Sequence, residues 1–207
     1  MNIDTNNLVT LCGKINGNFR YSHNVKTEQF YTGTIETIRT SGVIDRIPFL
    51  VSEYLVDVNA DWDGVYIKIQ GTFRSRNAHI DGRHKVELNV FAEDIELISE
   101  QEIDCSTNNM ITLDGFICKE PVYRETPTGK KITDITIAVN RLSGISDYIP
   151  CICWNKTAKY SAVLSVGTHI LVKGRIQSRE YSKILHDGTR IIKVAYEMSV
   201  VYFTEIK

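Results

Sequence analysis

The chain has 207 residues, of which 43% are hydrophobic and 24% charged, and its formal net charge is −1. This balance is typical of globular proteins, and the length fits two small domains. No run approaches 18 consecutive apolar residues and the N-terminus is polar, which argues against a membrane span and a secretory signal and predicts a cytoplasmic protein. The five cysteines include no C-x-x-C pair, which argues against disulfides and a zinc site.

Taken in chain order, the predicted elements occur twice. Residues 7–15 (NLVTLCGKI) return as residues 109–117 (NMITLDGFI), at an offset of 102, and residues 64–76 return as residues 167–179. Each copy is large enough to have its own hydrophobic core. We therefore predict one domain over residues 1–98, a polar and acidic linker over 99–108, and a second domain over 109–207.

The two copies differ in charge. Residues 1–98 hold 10 Lys and Arg against 13 Asp and Glu, for a net charge of −3, and the linker adds −3. Residues 109–207 hold 14 basic against 9 acidic side chains, for a net charge of +5. One interpretation is ordinary drift of charge along a chain; the other is that only the second copy faces a polyanion.

Apolar alternation and β-rich composition predict strands in the second copy at 135–139, 149–154, 170–176 and 190–203. Residues 155–166 have the pattern of a short helix, and Gly167 follows them as a glycine often follows the end of a helix. Asp187-Gly188, and Asp81-Gly82 in the first copy, suit tight hairpin turns. This order predicts an all-β fold with short helices: two tandem five-stranded Greek-key barrels of the OB-fold type, with the helix between the third and fourth strands.

Three segments of the second copy resemble motifs of the bacterial single-stranded DNA-binding protein family: residues 126–130 (TPTGK), 147–159 (DYIPCICWNKTAK) and 172–181 (VKGRIQSREY). The resemblance runs from residue 109 to about residue 201, and the first copy joins it only through the internal repeat. It implies sequence-nonspecific binding of single-stranded DNA in replication, recombination and repair. Such binding uses aromatic rings on which bases stack, together with cations along the backbone.

By the resemblance, Tyr148, Trp154 and Tyr181 are the stacking residues and Lys156 contacts the DNA backbone. Charge and position in loops or hairpins add weaker candidates, namely Arg179, Lys130, Lys131, Arg141, Lys183 and Arg190. The alternative is that these aromatics pack in the core or an interface, and that the lysines and arginines are merely solvated.

At the matching positions the first copy has Arg46 for Tyr148, Ser52 for Trp154, and Asn77 or Ala78 near Tyr181. We expect a degenerate copy, which holds DNA weakly through arginines or serves mainly for assembly. Those arginines are Arg39, Arg46, Arg74 and Arg76.

The resemblance also implies a homodimer that brings four barrels together. The sequence ends without the acidic tail by which housekeeping members recruit replication enzymes, so a version encoded by a phage or mobile element, or a primosomal relative, is expected. No phosphate-binding loop, H-E-x-x-H pair or G-x-S-x-G motif is present, so we expect no enzyme, no cofactor and no metal. Near-neutral charge keeps a protein-interaction module as the alternative function, and RNA as an alternative ligand.

Overall fold

The computed structural model describes residues 6–80, 83–184 and 188–206. Its first half holds six strands: β1 (Asn7–Ile15), β2 (Arg20–Val25), β3 (Glu28–Ile38), β4 (Ile44–Ser52), β5 (Tyr66–Ile80) and β6 (Arg83–Leu97). Its second half holds β7 (Asn109–Ile117), β8 (Val122–Glu125), β9 (Lys131–Asn140), β10 (Ser146–Trp154), helix α1 (Asn155–Ser161), β11 (His169–Ile184) and β12 (Arg190–Glu205). One 3₁₀ turn, Glu100–Glu102, lies between the halves.

Each half closes into a barrel of five strands. In the first half β1 pairs with both β3 and β5, β3 pairs with β4, β5 pairs with β6, and a parallel pairing of β4 with β6 completes the ring. The second half repeats every one of these pairings with β7, β9, β10, β11 and β12. The predicted all-β fold of two Greek-key barrels is confirmed.

Three details differ from the sequence prediction. Each half has one additional short strand, β2 or β8, that forms a hairpin with the strand after it. The first half has turns in place of a helix over residues 53–65. Helix α1 ends at Ser161 rather than near Gly167, and turns follow it. Of the predicted Asp-Gly turns, residues 81, 82 and 187 lie outside the described residues.

Alternation along the strands builds the two cores. In β1, Val9, Leu11 and Ile15 point inward and are buried, while Thr10, Cys12 and Lys14 alternate with them on the outward side. The long strands β5 and β11 must bend to pair with neighbours on both sides, and each has a bulge beside a glycine, Gly71 or Gly174. A Cβ atom at either glycine would lie 2.0 Å from a carbonyl oxygen of the facing strand, so only glycine fits.

The two halves are joined by an antiparallel pairing of β1 with β7. Asn7 pairs with Leu113 and Leu11 pairs with Asn109, so equivalent residues of the repeat exchange places across the junction. This reciprocity means that the halves are related by an approximate twofold axis through the Val9–Ile111 pair. All twelve strands consequently form one continuous sheet.

Two buried ion pairs reinforce this junction symmetrically. Asp147 accepts hydrogen bonds from Arg141 at 2.5 and 2.7 Å and from the backbone N–H of Ser75, in the other half, at 2.6 Å. In the arrangement related by the approximate twofold axis, Asp45 pairs with Arg39 at 2.6 Å and accepts a hydrogen bond from the N–H of Ser178 at 2.8 Å. Both aspartates are therefore committed to holding the halves together.

Candidate nucleic-acid interface

Trp154 is held at the end of β10 by a turn into helix α1. Asn155 adopts a positive φ of 49°, which asparagine tolerates better than most residues, and the chain changes direction there. The hydroxyl of Thr157 accepts a hydrogen bond from the Trp154 N–H at 3.0 Å, and the indole N–H donates to Ser199 Oγ at 3.0 Å. The half-buried indole ring is thus fixed on the outer surface of the barrel.

Tyr181 lies on the same surface, on the extension of β11 beyond the barrel. Gln177, Arg179 and Tyr181 alternate along β11 and point to one side, and Gln177 faces Glu197 of β12 across the sheet. Ser199, which binds the Trp154 indole, lies two residues from Glu197 on that same side. We call this surface the second-half face; it consists of Trp154, Gln177, Arg179, Tyr181, Glu197 and Ser199.

Tyr148 shares the outward side of β10 with Trp154 but lies at the opposite end of the strand. Six residues of extended chain separate the two rings by about 20 Å. The Tyr148 N–H donates to Ser75 Oγ of the first half at 2.8 Å, and half of the Tyr148 side chain is exposed. Tyr148 therefore lies at the junction of the halves and not beside Trp154.

The predicted cations occupy different environments. Lys156 is exposed in the first turn of α1, close to Trp154 in the chain, and Lys130 is exposed in the β8–β9 turn. Lys131 lies 3.8 Å from Glu125, and Arg179 lies 3.5 Å from Glu197. The exposed residues Lys183 and Arg190 lie at the far end of the β11–β12 hairpin.

Arg141 differs from the other cations because its guanidinium group is bound to Asp147, and Asp147 is buried. The Nη2 nitrogen of Arg141, which binds Asp147, also lies 3.3 Å from the backbone oxygen of Ser75. These contacts commit much of the guanidinium to the junction between the halves, a role that its charge alone did not indicate.

The first half pairs its candidate arginines with carboxylates. Arg46 binds Glu36 at 2.9 Å, Arg76 binds Glu87 at 2.9 Å, and Arg74 lies 3.7 Å from Glu93. The repeat places uncharged residues at the equivalents of these three acids in the second half, namely Ala138, Ala195 and Val201. Much of the basic charge of the first half is consequently neutralised locally.

Sequence reasoning missed one aromatic side chain on the corresponding surface of the first half, Phe91. When the last strands of the two halves are aligned, Phe91 is the equivalent of Ser199, and on β4 Ser52 is the equivalent of Trp154. The first half therefore has its large ring on β6, beside β4, whereas the second half has Trp154 on β10, the equivalent of β4. Arg74 covers it, with its guanidinium carbon 3.8 Å from the ring centroid. Pairwise alignment of both strands together would have revealed the exchange.

Two further searches of the described residues bear on the class of site. No group of three His, Cys, Asp or Glu side chains within the described ranges is placed to hold a metal ion. Among the same residues, no helix has the length and apolar character needed to cross a membrane.

The comparisons with known proteins agree with this geometry. Residues 108–200 match the family described as the single-strand binding protein family. Single-stranded DNA-binding protein B of Bacillus subtilis (strain 168) is 39% identical over 106 residues, which cover 48% of this chain and 92% of that protein. The chain belongs to the single-strand binding protein family. The predicted family membership is thereby confirmed for the second half.

Other family members are longer. Single-stranded DNA-binding protein 2 of Listeria innocua is 35% identical over 104 residues, which cover 47% of this chain and 64% of that protein, so the match spans just under two thirds of its length. The wild-type single-stranded DNA-binding protein of Thermus aquaticus aligns over 97% of this chain and 93% of its own, with a TM-score of 0.71 and 19% identity. That likeness shows that the fold of both halves is shared.

Proposed function

We propose that this family member binds single-stranded DNA, largely without sequence preference, through the second-half face. The observation that carries the proposal is the Trp154 ring, fixed by Ser199 on the same surface as Tyr181 and Arg179 and within the segment that matches the family. The relatives in Bacillus and Listeria are named for binding single-stranded DNA. Replication, recombination and repair expose such strands in the bacterial cytoplasm, where we place the protein.

The chemistry of the face suits a strand of any sequence. Every base has a flat π-face, and stacking on an aromatic side chain contributes roughly 1 to 3 kcal/mol per base. Trp154 and Tyr181 supply two such rings, while Lys156 and Arg179 supply cations for phosphates. The face reads no base edges, since stacking and phosphate contacts carry no sequence information.

The domain division at residues 98 and 109 forms part of the proposal. The second domain supplies the main binding face, because the first domain has Ser52 where the second has Trp154 and pairs its arginines with acids. The first domain supplies half of the junction that holds β7, β10 and β11 in place. We also propose a homodimer, which would bring four barrels together.

The decisive test is a fluorescence titration of the full chain with oligo-dT, at about 50 and about 300 mM salt, with oligo-rU measured in parallel. The chain has two tryptophans, and Trp62 packs against Phe19 in the first half with its indole N–H bound to the Asp57 carbonyl. Trp154 alone lies on the proposed face. We expect DNA to quench the Trp62→Phe protein strongly, and much less at high salt.

The matched control is Trp154→Phe, which keeps a ring for stacking but leaves only the Trp62 signal. This variant should still bind labelled oligo-dT while losing the quenching. Quenching of equal size in both variants would place the strand elsewhere. An absence of binding at about 50 mM salt would refute the function itself and favour the protein-interaction module.

A further inference from the structure

One carboxylate, that of Glu197, lies within the second-half face. Glu197 stands on β12, two residues from Ser199 and directly across the sheet from Gln177 of β11. Its side chain is only 12% exposed, so the carboxylate belongs to the body of the face and not to its rim. A phosphate that approaches the middle of the face consequently meets a negative charge.

The Glu197 carboxylate is held by two neighbours on β11. Its Oε1 atom accepts a hydrogen bond from Gln177 Nε2 at 2.8 Å and lies 3.5 Å from Arg179 Nε. The Arg179 side chain is 55% exposed, whereas Glu197 is almost covered. The arginine is therefore free to turn outward to a ligand, while the carboxylate stays in place behind it.

The negative charge of Glu197 reaches a second arginine of the same half. The pKa of Arg124, on β8, is raised mainly by its hydrogen bond with Asp134, and the charge of Glu197 adds to that rise. Arg124 lies 2.7 Å from Asp134. Both arginines near Glu197 thus have a carboxylate partner before any strand binds.

The internal repeat shows that the barrel does not require an acid at this position. The register of the last two strands makes Asn89 the equivalent of Glu197 and Arg74 the equivalent of Gln177. This cross-strand pair therefore carries one positive charge in the first half and one negative charge in the second. The sign is opposite to that of the halves, whose net charges are −3 and +5. An acid in the more basic half, on its proposed binding face, favours a role in binding over a role in folding.

We infer that Glu197 is a built-in counter-ion for Arg179, which a DNA phosphate must displace from the guanidinium when a strand binds to the second-half face. Tyr181 follows Arg179 on the same side of β11 at about 7 Å, so a nucleotide whose base stacks on Tyr181 has a phosphate within reach of the arginine. The inference rests on the proposed function and deepens it, because it names the residue that sets the strength of the phosphate contact.

The displacement has two consequences for binding. It exchanges one anion for another at Arg179, and it leaves the bound phosphate close to the Glu197 carboxylate. Glu197 therefore lowers the affinity of the face for DNA, and a bound strand dissociates more readily. The phosphate is also neutralised only in part, so fewer of its counter-ions are released and binding depends less steeply on salt.

The test compares the full chain with its Glu197→Gln variant, using the anisotropy of labelled oligo-dT over a range of salt concentrations. Glutamine keeps the shape of the side chain and an acceptor for Gln177 but carries no charge. We expect the variant to bind about fivefold more tightly at about 50 mM salt. The slope of log K against log salt concentration should steepen by roughly 0.7, the value for one more neutralised phosphate on a single strand.

Glu180→Gln is the matched control. Glu180 is exposed and adjacent to Arg179 in the chain, but alternation along β11 directs it to the opposite side of the sheet. This substitution removes the same charge and should change the affinity less than about twofold. Glu197→Asn, which installs the first-half residue, is a second variant and should give the same gain as Glu197→Gln.

A double-mutant cycle with Arg179→Gln tests the route of the effect. Without Arg179, the substitution Glu197→Gln should no longer raise the affinity more than about twofold, because there is no guanidinium left to release. An equal gain from Glu180→Gln, a full gain without Arg179, or no gain from either Glu197 variant would overturn the inference while leaving DNA binding intact. If neither the unmodified protein nor the Glu197 variants bind, the proposed function fails and the inference fails with it.

Discussion

At the scale of single residues, the contacts of Trp154 suit the stacking role that we propose for it. Its indole N–H is satisfied by Ser199, and its backbone is fixed by Thr157, so the ring is rigid before any strand arrives. A rigid ring loses little conformational entropy when a base stacks on it. This preorganisation is what the second-half face adds to mere aromatic content.

Trp154→Ala and Tyr181→Ala should each weaken binding of oligo-dT about tenfold, because each removes a stacking surface of roughly 1 to 3 kcal/mol. Tyr160→Ala is the matched control, since Tyr160 is also exposed but packs edge-on against Phe203, outside the face. Anisotropy titrations measure the affinities, and circular dichroism checks the fold. Equal losses in all three variants would show that the face has no special role.

The thiols provide a separate residue-scale prediction. Burial raises the pKa of Cys153 to about 11 and raises that of Cys151 well above its usual range. At pH 8 a thiol with a pKa of about 11 is ionised in roughly one molecule per thousand, and the thiolate is the reactive form. Burial also raises the pKa of Cys12 and Cys118, while Cys105 is exposed.

A thiol-reactive dye at pH 8 should therefore label Cys105 first and Cys12 and Cys118 slowly. Cys151 and Cys153 should react only after unfolding in denaturant. Mass spectrometry of timed samples identifies the labelled residues. Early labelling of Cys153 in the folded protein would contradict its burial against β9 and α1.

At the scale of elements, the junction between the halves depends on ion pairs that repeat by the approximate twofold axis. Asp147→Ala leaves Arg141 without its main partner and removes the acceptor for the Ser75 N–H. Loss of one partner from a buried pair costs about 3 to 5 kcal/mol, and we expect about 2 to 3 here because Arg141 is partly exposed. Asp45→Ala should cost about the same.

Urea unfolding of the full chain measures these changes. Asp134→Ala is the control, because the Arg124–Asp134 pair has the same geometry at the surface and should contribute less than about 1 kcal/mol. A loss from Asp45→Ala as small as that from Asp134→Ala would mean that the Arg39 cluster does not stabilise the junction.

The sequence predicted the barrels from local alternation, and the family resemblance made Trp154 and Tyr181 candidate stacking residues. Alternation fixes which side of a strand a residue occupies, and the motif around Trp154 and Tyr181 lies in continuous chain. Alternation does not say what stands beside each end of a strand, so the contact of Tyr148 with Ser75 of the first half was not expected. The contacts of Asp45 with Ser178 and Asp147 with Ser75 join residues far apart in sequence, and no local pattern marks them.

At the scale of the whole molecule, the net charge of a domain does not give the charge of each part of its surface. Residues 1–98 are acidic in sum, yet the charged side chains that line the cavity between their barrel and the second half are Arg74, Arg76, Lys119 and Arg141, with one carboxylate, Glu87. Electrostatic attraction over a Debye length of about 10 Å depends on nearby charges and not on the sum over a domain.

The exposed side of the β1–β7 junction has the features of an interface with a second copy. Register places Leu8 beside Thr112 and Met110 beside Thr10, and Leu8 and Met110 are 42% and 47% exposed. This small apolar and threonine-rich patch lies on the approximate twofold axis of the chain. A second chain that packs its own patch there would bury both and give a closed, symmetric assembly of four barrels.

We therefore expect the chain to sediment at twice its mass of 23.5 kDa, and Met110→Lys to shift it toward the monomer by placing like charges across the axis. Val163→Lys is the matched control, because Val163 is highly exposed in the loop after α1, away from this patch. Sedimentation velocity over a range of protein concentrations makes the measurement. A dimer that survives Met110→Lys but dissociates with Val163→Lys would move the interface to the α1 side of the second half, and the four barrels would then be arranged differently around the DNA.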